Sequence, residues 1–413
     1  MIINSSLTTQ SVFFRRFEYC FAVIGLHIYT GGLLDPLARA GLFPDSLVQL
    51  SLVATYFISI ALLAMRPKTL VLALRRNYFL FSLLLFTSAS FIWSDSPITT
   101  LYFSVKLVGT SLFGIYLGVR FKSSEILQFL VYVFTFGALF SVLFSLVLPD
   151  YGTNQGSWNG IYRHKNFLGR LMILNVLFSS LLRPTKLSKR IFKKVVIGLS
   201  FSLILLSNSK GALTYFLIMV IISSILYYLL SLKDMIAIPL ALIVMCITFF
   251  VALLTALNIE FLVTDLLGKD LTFTGRTDIW NACIYMLREK PLLGYGYAAF
   301  WRGLGSPSEY VLLRANWLAI PHAHNGFLDL SLEIGLLGLA LFIISLLYNF
   351  LKIIIQTYRC HSKDFLWCFF YLMCIILFNI SESEFLKNNT LAWVLYVTIS
   401  SIVPLKNYAC NKT

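Results

Sequence analysis

The sequence predicts an all-α polytopic membrane protein with about twelve transmembrane helices. Three observations carry that reading. Charged residues make up only 12% of the 413-residue chain and hydrophobic residues 58%, with a mean hydropathy of +0.82, whereas a soluble domain carries roughly 25% charged residues. Apolar runs of about twenty residues, the length that crosses a bilayer core, recur along the chain. The cations between these runs gather on loops of one side and most of the acids on the other. The net charge of +15 is therefore read as positive-inside bias, and no nucleic-acid partner is expected.

The runs lie near residues 17–34, 46–65, 78–93, 101–119, 126–148, 166–182, 191–207, 211–231, 235–258, 323–350, 365–381 and 389–405. The first, fourth and seventh carry charge at or within their ends. Lys106 lies inside the fourth, where it snorkels or faces the protein interior. Segment 66–77 holds Arg66, Lys68, Arg75 and Arg76; segment 183–194 holds Arg183, Lys186, Lys189, Arg190, Lys193 and Lys194. Both fall on the side of the N-terminus and mark it as cytoplasmic. Segments 149–165, 259–321 and 382–388 then face outward. Arg15 and Arg16 lead into an apolar stretch without a cleavage pattern, so the first helix is expected to stay as an anchor.

Three regions follow: helices 1–9 over 1–258, a periplasmic loop with an amphipathic helix over 259–321, and helices 10–12 over 322–413. The loop is too long for a mere connector. Within it, Thr277 or Asp278 caps a helix that runs to Lys290 and closes at Pro291. Ile279, Trp280, Cys283, Ile284 and Leu287 fall on one face, predicting a helix that rests on the membrane surface or caps a cavity. The seven cysteines show no CxxC spacing and read as small buried hydrophobes. Walker and GxGxxG patterns are absent, so neither ATP nor another cofactor is expected.

Four outward clusters offer chemistry. They are His322, His324 and Asn325; Arg276 through Trp280; Arg163, His164 and Lys165; and Ser207 through Gly211 with Lys210. Each brings a cation or a histidine, and together they predict a basic pocket open to the outer leaflet. Arginine binds phosphate oxygens through a planar fork, and lysine adds a point charge. Histidine within hydrogen-bond reach takes a proton from a sugar hydroxyl. No metal is demanded, because the outward acids are scattered. A plainer reading stands beside each assignment. Arg163, Lys165, Lys210 and Arg302 serve equally well as topology anchors. His322 alone reads better as a solvated loop residue. Glu382 and Glu384 orient a catalytic cation or solvate a loop end. Trp280, Trp301 and Trp317 stack on sugar rings or form an aromatic belt.

These pieces, in order, resemble a known family. His324-Asn325 followed by Gly335 and Gly338 is similar to the outer-loop signature of O-antigen ligases and polymerases. Trp93-Ser94, Gly160 with His164-Lys165-Asn166, Ser207-Asn208-Ser209-Lys210-Gly211, Gly275-Arg276 with Trp280, and Pro291 through Gly296 agree upstream. The His-Lys-Asn piece looks most like the exopolysaccharide polymerases similar to ExoQ. The resemblance implies a metal-independent, inverting glycosyltransferase of GT-C-like helical fold in the bacterial inner membrane. Its substrates would be undecaprenyl-diphosphate-linked glycans on the periplasmic face, and a flippase and a chain-length regulator would be its protein partners. Carried over by position, Arg276 binds the diphosphate and His324 acts as base or orients the acceptor. Trp280, His322, Asn325, Arg163, His164, Lys165 and Lys210 line the substrate. Lys210 stands where many members have arginine, which keeps the charge and loses the fork.

A repeat-unit polymerase is the favoured reading. A ligase that moves finished glycan onto lipid A-core is the nearest rival. A transporter or flippase, the rival of another class, would place charges and broken helices near the bilayer midplane. Here Lys106 is the main mid-span charge, and polar groups collect at one face.

Overall fold

The computed structural model describes residues 3–32, 34–39, 41, 43–229, 243, 276–316, 319–360 and 363–402. It is helical almost throughout. In chain order the helices are α1 (Ile3–Thr30), α2 (Asp35–Arg39), α3 (Asp45–Ala64), α4 (Pro67–Arg76), α5 (Tyr78–Ala89), α6 (Pro97–Arg120), α7 (Ser123–Val147), α8 (Pro149–Gly152), α9 (Lys165–Leu181), α10 (Leu187–Leu206), α11 (Lys210–Leu229), α12 (Arg276–Glu289), α13 (Glu309–Ala315), α14 (Gly326–Cys360), α15 (Leu366–Phe378) and α16 (Leu391–Ser401). Each expected span except 235–258 coincides with one of them. That ninth span, with Cys246, lies outside the described residues apart from Ile243, as do Gly275, Trp317, His361 and Cys410.

Among the described residues, four helices are long and apolar enough to cross a membrane: α3, α6, α7 and Gly326–Thr357 of α14. Pro67–Arg76 and Tyr78–Ile92, bent by 84°, make a fifth if counted together. The remainder fall short for visible reasons. Helices α15 and α16 have 13 and 11 residues, about 20 and 17 Å at 1.5 Å per residue. Helix α10 opens on a basic turn, Leu187-Ser188-Lys189-Arg190. The chain is a multi-pass membrane protein, and the count of twelve spans remains an expectation.

Two compact units make up the chain: Met1–Met65 with Arg120–Thr214, and Arg66–Val119 with Tyr215–Thr413. In the first, α7 packs on α1, α8, α9 and α10. Its start is fixed where Glu125 accepts the Lys122 N–H at 2.9 Å. Buried Asn175 of α9 donates to Ser200 of α10 at 2.9 Å, and Arg120 pairs with buried Glu18 at 2.7 Å. These two contacts offset the desolvation of the polar groups that make them. A short hairpin, β1 (Thr153–Asn154) and β2 (Ser157–Trp158), turns through Gln155 and Gly156, both at positive φ.

In the second unit, α5 packs on α14, and α14 on α15 and α12. Segment 66–77, expected to be a loop, is mostly the helix α4. Pro67 opens it, where a missing N–H costs nothing. Asn77 breaks it, and its side chain donates to Ala73 O at 2.9 Å. Helix α14 contains a break of its own: Ile334 and Gly335 leave helical geometry, Gly335 at φ 69° and ψ 179°. The turn Pro291–Gly296 docks into that break. Tyr295 and Gly296 N–H donate to Leu332 and Glu333 carbonyls at 2.8 Å each, and Leu336 N–H donates to Pro291 O at 2.8 Å. The Trp93-Ser94 stretch closes over the same turn, with Trp93 Nε1 donating to Leu293 O at 2.9 Å and Asp95 N–H to Tyr295 O at 3.0 Å.

Candidate functional site

Helix α12 begins at Arg276 and carries Trp280 one turn later. Its apolar face was expected on the membrane or over a cavity. Ile279, Ala282 and Cys283 instead bury into a local core with Tyr295, Phe300, Val311, Leu312, Ile320 and Ala323. Ile284, expected on that face, is exposed. The short helix α13, absent from the sequence reading, supplies the partner surface. Each large side chain fully buried here contributes about 1.5–3 kcal/mol, so the helix is held by protein contacts.

The loop 319–325 crosses this core before α14. Ala323 is wholly buried. Its N–H donates to Asp329 Oδ1 at 2.8 Å, and its carbonyl accepts from Trp280 Nε1 at 2.8 Å. His322 and His324 flank it in sequence, and their rings meet. Their rings sit 4.2 Å apart at 64°, and His322 Nδ1 accepts the His324 N–H at 3.2 Å. His324 has φ +53°, a left-handed conformation uncommon for a residue with a side chain. Its Nδ1 is buried with no hydrogen-bond partner. Asn325 caps α14, its Oδ1 accepting from Phe327 and Leu328 N–H at 3.1 and 3.2 Å. Gly326 is required: a Cβ there would lie 1.9 Å from Asn379 Oδ1.

The electrostatics follow from this crowding. Burial, then His322, then Arg276 push the His324 imidazole down to about 4, against the opposing pull of Glu382 and Asp329. At neutral pH the ring is uncharged, with a lone pair available to accept a proton. Arg276 and His324, assigned from separate stretches, are thus close enough for one charge to act on the other. Among the described residues, His322, His324 and Glu382 form a group able to hold a metal ion, their ligand atoms all within 4.8 Å. The nearby guanidinium opposes a cation there, and one His322 nitrogen already accepts a backbone N–H.

Behind the loop lies an ion cluster that the sequence reading missed. Buried Asp329 also accepts from Trp301 Nε1 at 2.8 Å. Lys387 reaches Asp329 at 3.9 Å and buried Glu333 at 3.4 Å. Burial pulls the Lys387 ammonium down, but Glu333 and Asp329 more than offset it and hold it above the usual lysine range. The signal was present: two acids four residues apart on one face of an otherwise apolar run.

The remaining predicted residues belong to the first unit. Arg163 pairs with Asp35 through two contacts of 3.1 and 3.3 Å. His164 Nδ1 accepts the Asn166 N–H at 3.2 Å and caps α9. Lys165 donates to Ser157 Oγ at 3.2 Å. Asn166 accepts from Ser209 at 2.9 Å, so the His-Lys-Asn and Ser-Asn-Ser-Lys stretches meet. Lys210 opens α11 and is exposed.

The chain is therefore a helical membrane protein in which the charge of Arg276 reaches a histidine of a packed loop. Residues 195–343 match the model of the O-antigen ligase family. Exopolysaccharide production protein ExoQ of Rhizobium meliloti is 36% identical over 109 residues, 25% of this chain and 23% of that protein. Proteins named "Putative polysaccharide ligase" from Rickettsia typhi and Rickettsia conorii are 34% and 33% identical over 128 residues. Those matches cover 29% of this chain and 30% of each relative, so the chain matches under a third of the length of these relatives.

Proposed function

We propose that this chain polymerises oligosaccharide repeat units carried on undecaprenyl diphosphate, at the periplasmic face of the inner membrane. The observation that carries the proposal is that Arg276 lies near enough to the uncharged, partly buried His324 for its charge to act on the ring. In the proposed step, a hydroxyl at the non-reducing end of one lipid-linked glycan attacks the anomeric carbon of another. The new C–O bond forms as the bond to the diphosphate breaks, with inversion. His324 takes the hydroxyl proton, and the diphosphate leaves with its electron pair. Arg276 binds the diphosphate where its charge grows, a contribution on the order of 2.7–4 kcal/mol for a well-placed donor. This supplies by side chain what a metal would otherwise supply. His322 and Asn325 shape the loop at the reacting end. Arg163, His164, Lys165 and Lys210 are proposed to bind anionic substrate. A flippase delivering the glycan and a chain-length regulator are the proposed protein partners.

The ligase reading has one observation of its own, the names of the Rickettsia relatives. Lipid-linked glycans from a deletion strain separate the two. Loss of long chains on the carrier supports polymerase. Long chains stranded on the carrier support ligase.

A further inference from the structure

We infer that Trp280 and Asp329 are positioning residues, which hold the histidine loop in register with the helix that bears Arg276 by gripping Ala323 from both sides. The inference rests on the glycosyltransferase reading above and assigns two residues to the same site.

Ala323 is the residue between the two histidines, and neither face of its peptide is left to solvent. Trp280 donates to its carbonyl and Asp329 accepts from its N–H, both at 2.8 Å. Trp280 lies four residues after Arg276, on the same face of α12. A shift of α12 therefore moves the guanidinium and the Ala323 carbonyl together. Asp329 lies on the first turn of α14, and its Oδ1 also takes the Trp301 indole N–H at 2.8 Å. Its other oxygen faces Lys387 at 3.9 Å, which in turn reaches Glu333. The loop bearing Glu382 and Lys387 is tied to the start of α14 by Asn379, whose carbonyl accepts the Gly326 N–H at 2.8 Å. Asn379 Oδ1 accepts from Glu384 and Phe385 N–H at 2.7 and 3.1 Å.

His324 cannot hold itself. Its backbone is left-handed and its Nδ1 has no hydrogen-bond partner. The preceding peptide is what fixes the ring, and a misplacement of about 1 Å costs on the order of 100-fold in rate. A role confined to balancing the Lys387 charge would need neither the indole contact nor the acceptance from Ala323. Trp280, read from sequence as a sugar-stacking or membrane-belt residue, uses its N–H inside the protein.

The test uses the full chain in detergent with a defined lipid-linked repeat unit. Initial rates are followed across pH for Trp280→Phe, Asp329→Asn and Asp329→Ala, beside His324→Ala and Arg276→Ala. Trp280→Phe keeps the ring and loses the N–H; the expected result is a fall in kcat on the order of 100-fold with KM little changed. Asp329→Asn retains an oxygen for the Ala323 N–H and keeps more of kcat than Asp329→Ala. It also moves the acid limb to lower pH, because the carboxylate that favours protonated His324 is gone. A merely structural role lowers the yield of folded protein without moving that limb. Wild-type kcat and limb in the Trp280 and Asp329 variants, with His324→Ala and Arg276→Ala inactive, overturn this inference alone. Full elongation in the last two overturns the glycosyltransferase site instead. In that event the rate at which diethyl pyrocarbonate modifies His324, read by peptide mass, still decides: a several-fold rise in Trp280→Phe supports the grip, and an unchanged rate refutes it.

Discussion

His324 shows how much of a site can be read from residue types and how much cannot. Its place beside Asn325 at the end of a polar loop marked it, and the outward cluster before Trp280 marked Arg276. The environment that depresses the ring comes from burial and His322 and, across the sequence, from Arg276, which only folding brings near. An imidazole depressed to about 4 stays neutral over the physiological range. The acid limb of kcat/KM should therefore lie near pH 4 and not near 6.5, because activity needs the unprotonated ring, which is lost as pH falls through that value. A bound diphosphate favours the protonated ring, so the limb of kcat should lie at higher pH than that of kcat/KM. A kcat/KM limb at 6.5 would contradict this picture. Arg276→Ala removes a charge that lowers His324, and its residual activity should show a limb shifted upward. The same shift has a stability counterpart. The unfolded imidazole binds a proton below about 6.5 and the folded one resists until about 4, so the folded state loses stability as pH falls through that window. Asp329 and Glu333 lie inside an apolar run and Lys387 in a polar segment over fifty residues on, so nothing local in the sequence shows that the three meet. Asn325 and Trp280, expected to line the substrate, use their polar atoms in a helix cap and a peptide contact.

At the scale of elements, hydropathy located the long helices well and the breaks in them poorly. Helix α4 was read as loop because ten residues flanked by arginines resemble a topology signal. The Pro291–Gly296 turn and the Gly335 break were noticed as family motifs, but their spacing does not say that they hydrogen-bond to each other. Gly335 takes a φ, ψ pair nearly closed to other residues, and a Cβ there would meet Leu292 O at 2.0 Å. Gly335→Ala should therefore cost about 1–3 kcal/mol from backbone conformation alone, with the clash adding to it. A fall in the thermal midpoint of the detergent-solubilised protein checks this, and an unchanged midpoint would contradict it. The amphipathic pattern of α12 was legible, but its partner was not. A helical face that packs on α13 looks the same in sequence as one that lies on lipid.

For the whole molecule, composition alone gave the class: too few charges and too much apolar surface for anything but a membrane protein. Sidedness rests on the distribution of Lys and Arg and can be tested directly. A cysteine replacing exposed Lys189 should be shielded from a membrane-impermeant maleimide in intact spheroplasts, and one replacing exposed Leu304 should react. The reverse pattern would invert the proposed orientation. Buried Cys283 should stay silent in both. The account as a whole stands on glycan transfer by Arg276 and His324. Its most direct test incubates purified protein with a defined undecaprenyl-diphosphate-linked repeat unit in the presence of a chelator. The wild type should build a ladder of lengthening products, and Arg276→Ala and His324→Ala should each lose at least 100-fold in its rate. A ladder of wild-type rate from both variants would contradict the account.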